Sequence, residues 1–123
     1  MKTCLVIEDN EDNMVLITRL LEKSGYSVLR AETGRQGIEI ALNREPDFIL
    51  LDIQLPDISG TEVLKIIRTT DKSSSIPVIA MTSFAMTGDR EKLLAAGCDG
   101  YIEKPIDPGL VINQINRIIG QST

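Results

Sequence analysis

The 123-residue chain contains no histidine, only two cysteines, and no concentration of basic residues. Without histidine there is no Ser-His nucleophilic pair and no imidazole metal ligand, and any phosphohistidine chemistry must use the histidine of another molecule. Cys4 and Cys98 form no C-x-x-C pair and are too few for a disulfide framework, so both read as reduced packing residues. No apolar run approaches the roughly 18 residues that a membrane helix needs. Met1-Lys2 leads straight into an apolar strand with no room for a signal segment, so the expected address is cytoplasmic, without membrane contact. The 13 basic residues are scattered among 18 acidic ones, for a net charge of -5. Nucleic-acid binding rests on clustered Lys and Arg neutralising phosphates, so no direct nucleic-acid partner is expected.

What the chain does contain is a repeated layout. Four short apolar runs each end on a reactive polar residue: Cys4-Leu5-Val6-Ile7 on Glu8-Asp9, Phe48-Ile49-Leu50-Leu51 on Asp52, Val78-Ile79-Ala80-Met81 on Thr82, and Tyr101-Ile102-Glu103 on Lys104. The runs are apolar throughout, as strands covered on both faces of a parallel sheet should be. Helical patterns alternate with them. Met14, Ile17 and Leu21 form a stripe between Asn10 and Ser24, with Gly25 as its stop. Strand two spans Tyr26 to Ala31. Thr33 caps a second helix with Ile38, Ala41 and Leu42 facing inward, and Pro46 precedes the Asp47 to Asp52 strand. Ser59 and Glu62 have capping-box spacing ahead of Val63, Leu64, Ile66 and Ile67, and the polar Thr69 to Ser75 stretch closes that helix. A shorter helix runs from Thr87 to Ala96, closed by Gly97, and strand five covers Gly100 to Glu103. Asp107-Pro108 predicts the start of a last helix with Val111, Ile112, Ile115, Ile118 and Ile119 buried. The expectation is an α/β fold: a doubly wound five-stranded parallel sheet with five helices, forming one domain over residues 1–123.

In an open parallel sheet the carboxyl ends of the strands share one edge, where ligands bind. Taken singly, each polar end has an ordinary reading: Glu8-Asp9 as capping acids, Asp52 as the cap of its loop, Thr82 as a turn hydroxyl, Lys104 as a solvated lysine. Together they suit phosphoryl transfer. Three acids at one edge repel, which is tolerable chiefly if a cation sits among them, and Glu8, Asp9 and Asp52 offer the oxygen ligands Mg2+ prefers. A carboxylate so placed can attack phosphorus, with an ammonium and a hydroxyl on the transferred oxygens. Lys104-Pro105 is a candidate cis bond that would aim the ammonium inward.

Glu8-Asp9, the stretch Leu51-Asp52-Ile53-Gln54-Leu55-Pro56-Asp57-Ile58-Ser59-Gly60, Thr82-Ser83 and Lys104-Pro105 together resemble the receiver domain of two-component response regulators, the CheY-like superfamily. Asp9-Asn10 and the run from Thr82 to Asp89 are most similar to single-domain cell-fate regulators and to hybrid-kinase receivers. The resemblance implies a flavodoxin-like sheet of order 2-1-3-4-5. It implies Asp52 as phosphoacceptor, Mg2+ held by Glu8, Asp9, Asp52 and the backbone carbonyl of Gln54, and Thr82 and Lys104 on the phosphoryl oxygens. Thr82 and Tyr101 would form the conformational switch. The implied donor is a histidine kinase or histidine phosphotransfer protein, and the implied output is a downstream protein target. Such a protein is a switch or relay and not a conventional enzyme. Glu8 stands where many relatives carry Asp. Gln54 and Phe84 occupy variable positions that influence hydrolysis, and a bulky Phe84 is expected to slow self-dephosphorylation. Two other readings stay open at this point: a docking domain that works unphosphorylated, and an Mg2+-dependent phosphatase with an aspartyl-phosphate intermediate. The phosphatase would need a second acid two residues after the nucleophile, where this chain has Gln54.

Overall fold

In the computed structural model, which describes residues 2–83 and 87–121, strands and helices alternate strictly. The order is β1 (Thr3–Ile7), α1 (Glu11–Lys23), β2 (Ser27–Ala31), α2 (Gly34–Arg44), β3 (Phe48–Asp52), α3 (Gly60–Thr69), β4 (Val78–Thr82), α4 (Thr87–Ala95), β5 (Gly100–Glu103) and α5 (Val111–Gln121). The sheet order is β2-β1-β3-β4-β5, every neighbouring pair parallel. This is the doubly wound topology expected. No helix among the described residues is long and apolar enough to cross a membrane.

Because strand side chains alternate between faces, the continuous apolar runs feed two cores at once. Cys4, Val6, Phe48, Leu50, Ile79, Met81 and Ile102 meet α1 and α5 through Met14, Ile17, Leu21, Val111, Ile115 and Ile119. Leu5, Ile7, Ile49, Leu51, Val78 and Ala80 meet α2, α3 and α4 through Ala41, Val63, Leu64, Ile67 and Leu93. All five residues of β3 and of β4 are buried. Each fully buried Leu or Ile contributes about 1.5–3 kcal/mol, so the central strands are anchored from both sides and their ends are held in place.

The caps follow local chemistry. Asn10, Thr33 and Ser59 accept from the backbone N–H of Asn13, Gln36 and Glu62. Gly25, at φ 94°, ends α1, with its N–H on the Glu22 carbonyl and the Tyr26 N–H on Leu21. That pair of bonds is a Schellman closure, which favours glycine at positive φ. The polar stretch after α3 ends the helix by supplying hydroxyls: Thr69, Thr70 and Ser73 donate to the carbonyls of Lys65, Ile66 and Ile67.

β3 begins at Phe48 and α4 ends at Ala95, each one residue inside its expected bound, and three further details depart from expectation. β2 begins at Ser27, since Tyr26 is spent on closing α1 and stacking edge-on against Phe48. The buried face of α2 is Gly34, Gly37 and Ala41, with Ile38 and Leu42 only half-buried. A Cβ on Gly37 would stand 2.4 Å from Ile7 Cδ1, so a small-residue face brings this helix close to β1. Finally, α5 starts at Val111, not at Pro108. Asp107 does cap the chain there, accepting from Gly109 N–H at 2.8 Å. Its carbonyl, however, is shared by the N–H groups of Leu110 and Val111 at 3.0 Å each. The chain therefore passes through a tight turn before regular helix begins, and Gly109 gives that turn little helical preference. Of the expected α5 face, Val111, Ile115 and Ile119 are buried, and Ile112 and Ile118 are half-buried.

Candidate functional site

The ends of β1, β3, β4 and β5 bring the polar termini together at one sheet edge. Glu8 is fixed by its own backbone, whose N–H continues the β1–β2 ladder to the Ala31 carbonyl at 2.9 Å. Its Oε2 accepts from Asn10 N–H at 3.2 Å, while Asp9 beside it is exposed. Asp52 closes the buried β3 strand at 2% exposure. One of its oxygens, Oδ1, accepts from Gln54 N–H at 2.9 Å, and the other lies 3.1 Å from Lys104 Nζ. Lys104 is carried in from the end of β5, where its N–H donates to the Thr82 carbonyl at 2.8 Å, tying the ends of β4 and β5 together. The Lys104-Pro105 bond is cis, as expected. Thr82 itself is buried at the end of β4.

The ammonium bridges two acids. Glu8 Oε1 also lies 3.1 Å from Lys104 Nζ. It is fully buried, yet no hydrogen bond is aligned on it. Glu8, Asp9 and Asp52 each place a carboxylate oxygen within 4.8 Å of the others. The electrostatic consequence falls on Glu8: burial first, then the adjacent Asp52 carboxylate, push its carboxyl up to about 7. Burial alone would pull the Lys104 ammonium down, but the two carboxylates beside it outweigh this and hold it above its ordinary value. A cleft of about 280 Å³ opens beside Glu8 and Asp9, lined also by Glu11, Met14, Val15, Arg30 and Glu32.

Tyr101 is half-buried on β5, opposite Ala80 and packed against the α2–α3–α4 core. It lines the cleft between α4 and α5 with Leu94, Arg117 and Ile118. Phe84 lies outside the described residues.

A profile of the response regulator receiver domain matches residues 4–116. The chain belongs to the response regulator receiver family. This receiver is 44% identical over 121 residues to the polar-differentiation response regulator DivK of Brucella anthropi, covering 98% of both chains. It is 43% identical over the same span to DivK of Brucella melitensis. Among solved structures, the receiver domain of the sensor histidine kinase PA1611 from Pseudomonas aeruginosa is 34% identical, with a TM-score of 0.87 and coverage of 97% and 98%. That domain was solved with a magnesium ion coordinated in its active site cleft. The chemotaxis response regulator CheY4 of Vibrio cholerae superimposes with a TM-score of 0.92 over 96% of this chain and 98% of its own. At 24% identity, that likeness speaks for the fold alone.

Two supporting contacts of this receiver were not legible in its sequence. Asp57, in the loop after Asp52, accepts from the backbone N–H of Gly34 and Arg35 at the start of α2. These amides, Arg35's foremost, hold its carboxyl below the usual range. Gly60 closes the same loop, its N–H on the Ile53 carbonyl at 2.8 Å. A Cβ there would fall 2.5 Å from Ile53 Cα and 2.7 Å from the Asp52 carbonyl oxygen. Both neighbours are backbone, so the acceptor strand end would have to move. Gly60→Ala is expected to destabilise the fold by about 1–3 kcal/mol, read from urea unfolding midpoints; an unchanged midpoint would show that the loop yields freely.

Proposed function

We propose that this receiver accepts a phosphoryl group on Asp52 from the phosphohistidine of a histidine kinase or histidine phosphotransfer protein, with Mg2+ as cofactor. The observation that carries the reading is Asp52 itself. It is a buried carboxylate at a strand end, with one oxygen on Gln54 N–H, the other on the Lys104 ammonium, and two further carboxylates alongside. The donor histidine lies outside these 123 residues, which contain none.

The residues present fit Mg2+. The ion takes hard oxygen ligands, usually one or two carboxylates with waters and phosphate oxygens. Glu8 Oε1 is buried and ion-paired with the Lys104 ammonium at 3.1 Å, with no hydrogen bond aligned on it, so it keeps acceptor capacity for a metal. Glu8, Asp9, Asp52 and the Gln54 carbonyl would hold the ion, which when bound supplies positive charge to offset the transferring group's oxygens. The magnesium bound by the homologous PA1611 domain supports this assignment.

In the transfer, an Asp52 oxygen forms the new bond to phosphorus while the donor's P–N bond breaks. The departing imidazole nitrogen keeps the electron pair and takes a proton. Lys104 then balances charge on one phosphoryl oxygen, and the Thr82 hydroxyl serves another. Thr82 and Tyr101 register the event as the switch pair, and the surface between α4 and α5, where Tyr101 sits, carries the signal to a downstream protein. The polar-differentiation role named for the Brucella relatives makes a cell-polarity or cell-fate protein the expected class of target. Each molecule carries one phosphoryl group in the cytoplasm and acts as a relay, not as a conventional enzyme. Gln54 stands where an aspartyl-phosphate phosphatase would need its second acid.

Incubation with Mg2+ and a small acyl phosphate tests the proposal by intact-protein mass. One phosphoryl group, lost in alkali and not acquired in EDTA, is the expected result. No mass gain would return the chain to the docking reading.

A further inference from the structure

The loop that follows Asp52 is pinned at three points. Gln54 N–H sits on Asp52 Oδ1 and Gly60 N–H on the Ile53 carbonyl, so two of the pins lie within the loop and its strand. The third reaches another element. Asp57 Oδ1 accepts from Gly34 N–H at 2.8 Å, and Oδ2 accepts from Arg35 N–H at 3.0 Å, with Arg35 Nε 3.8 Å away.

These contacts are more than the capping of a helix. α2 already has its own cap, since Thr33 Oγ1 accepts from Gln36 N–H at 3.1 Å. Asp57 takes two other amides of the same first turn, which regular helix leaves without intrahelical partners. An apolar contact reinforces the same junction. A Cβ on Gly34 would stand 2.6 Å from Ile58 Cγ1, so a side chain at Gly34 would collide with the residue after Asp57. The first turn of α2 is therefore a seat for the acceptor loop, polar at Asp57 and close-fitting at Ile58.

Gln54 lies three residues before Asp57, with Pro56 restricting the chain between them. On the reading that Gln54's carbonyl is a metal ligand, the position of that carbonyl depends on where both ends of the loop are held. The Asp52 end is fixed by a buried strand. The far end is fixed by α2.

We infer that Asp57 is a positioning residue for Mg2+ binding, holding the acceptor loop on the first turn of α2 so that the Gln54 carbonyl is presented at the acidic site. This rests on the metal reading given above. Groups that orient metal ligands from behind affect affinity at a distance, typically by 10–100-fold.

The test is calorimetric titration of the purified chain with MgCl2, beside amide hydrogen exchange at Gln54. Asp57→Ala is expected to weaken Mg2+ binding by about tenfold, the low end for such contacts, and to speed exchange at Gln54 with an unchanged circular dichroism spectrum. Asp57→Asn keeps an acceptor for one of the two amides and should fall between. Ser73→Ala, which removes a buried hydrogen bond to the Ile67 carbonyl at the far end of α3 and touches neither the loop nor α2, should leave Mg2+ affinity at the wild-type value. A merely destabilising effect of Asp57→Ala would make the two variants behave alike. Wild-type affinity in folded Asp57→Ala overturns the inference and leaves the metal reading standing. If Asp57→Ala does not fold, wild-type affinity in Asp57→Asn does the same. Absence of Mg2+ binding in the wild type itself removes the metal reading, and this inference with it.

Discussion

Asp52→Asn is expected to take up no phosphoryl group from an acyl phosphate while keeping the fold. The amide has nearly the shape of the carboxylate, and its oxygen can still accept from Gln54 N–H or from Lys104, the two groups that hold Asp52 now. What disappears is the anionic oxygen that attacks phosphorus. A second consequence follows from the company Asp52 keeps. Its charge is one of the causes that hold the Glu8 carboxyl up at about 7, so the variant should let Glu8 ionise more readily and be at least as stable as the wild type at neutral pH. The pairing of lost chemistry with retained or increased stability is the signature to look for, by intact mass and urea unfolding together. A labile phosphate on the Asn variant would move the acceptor to another residue.

The second large effect belongs to Lys104. Its ammonium lies 3.1 Å from both Glu8 Oε1 and Asp52 Oδ2, and both acids are almost completely buried. Removing one partner of a buried ion pair leaves an uncompensated charge and costs about 3–5 kcal/mol. Lys104→Met should therefore lose stability of that order at pH 8 without added metal. The penalty has a defined pH dependence. Glu8 in the folded state binds its proton more tightly than the ordinary value of 4.5, holding it to about 7. Its protonated form thus favours the fold: that stability is fully present below about 4.5 and is lost as the pH rises through 7. The wild type should lose about 2–3 kcal/mol across that window. Without the Lys104 ammonium the Glu8 carboxyl moves higher still, so Lys104→Met should approach wild-type stability at pH 5 and diverge from it towards pH 8. Glu8→Gln should flatten the slope in both backgrounds. Urea titrations between pH 5 and 8 check all of this, and equal stability of Lys104→Met and wild type at pH 8 would mean that the acids are balanced by something other than this lysine.

How far the molecule could be read from its sequence depended on where each interaction leaves its trace. Strands such as Phe48–Asp52 are unbroken apolar runs because both faces are buried, and that pattern survives without any knowledge of neighbours. Asn10, Thr33 and Ser59 announce helix starts because the cap is a side chain acting a few residues away. The gathering of Glu8, Asp9, Asp52 and Lys104 was equally legible, since strand ends in a parallel sheet share an edge. The contacts that escaped were those whose partners are backbone or absence. Asp57 looks like an ordinary turn acid, because the amides it holds belong to Gly34 and Arg35, more than twenty residues earlier. Gly37 carries no hydrophobic signal, yet the lack of a side chain is what seats α2 on Ile7. Arg68 likewise finds its partners far along the chain, donating to the carbonyls of Gly97 and Ile76 and pairing with Asp99, which joins α3 to the segment before β5.

The two layers of the sheet also settle what the thiols can do. Cys4 belongs to the core under α1 and α5, and Cys98 to the core under α2, α3 and α4, so the sheet stands between them. Burial pushes both thiols up, away from the reactive thiolate form, and thiolate is the species that oxidants and disulfides attack. In the native state a bond between these two sulfurs would have to cross the sheet, and both thiols are buried.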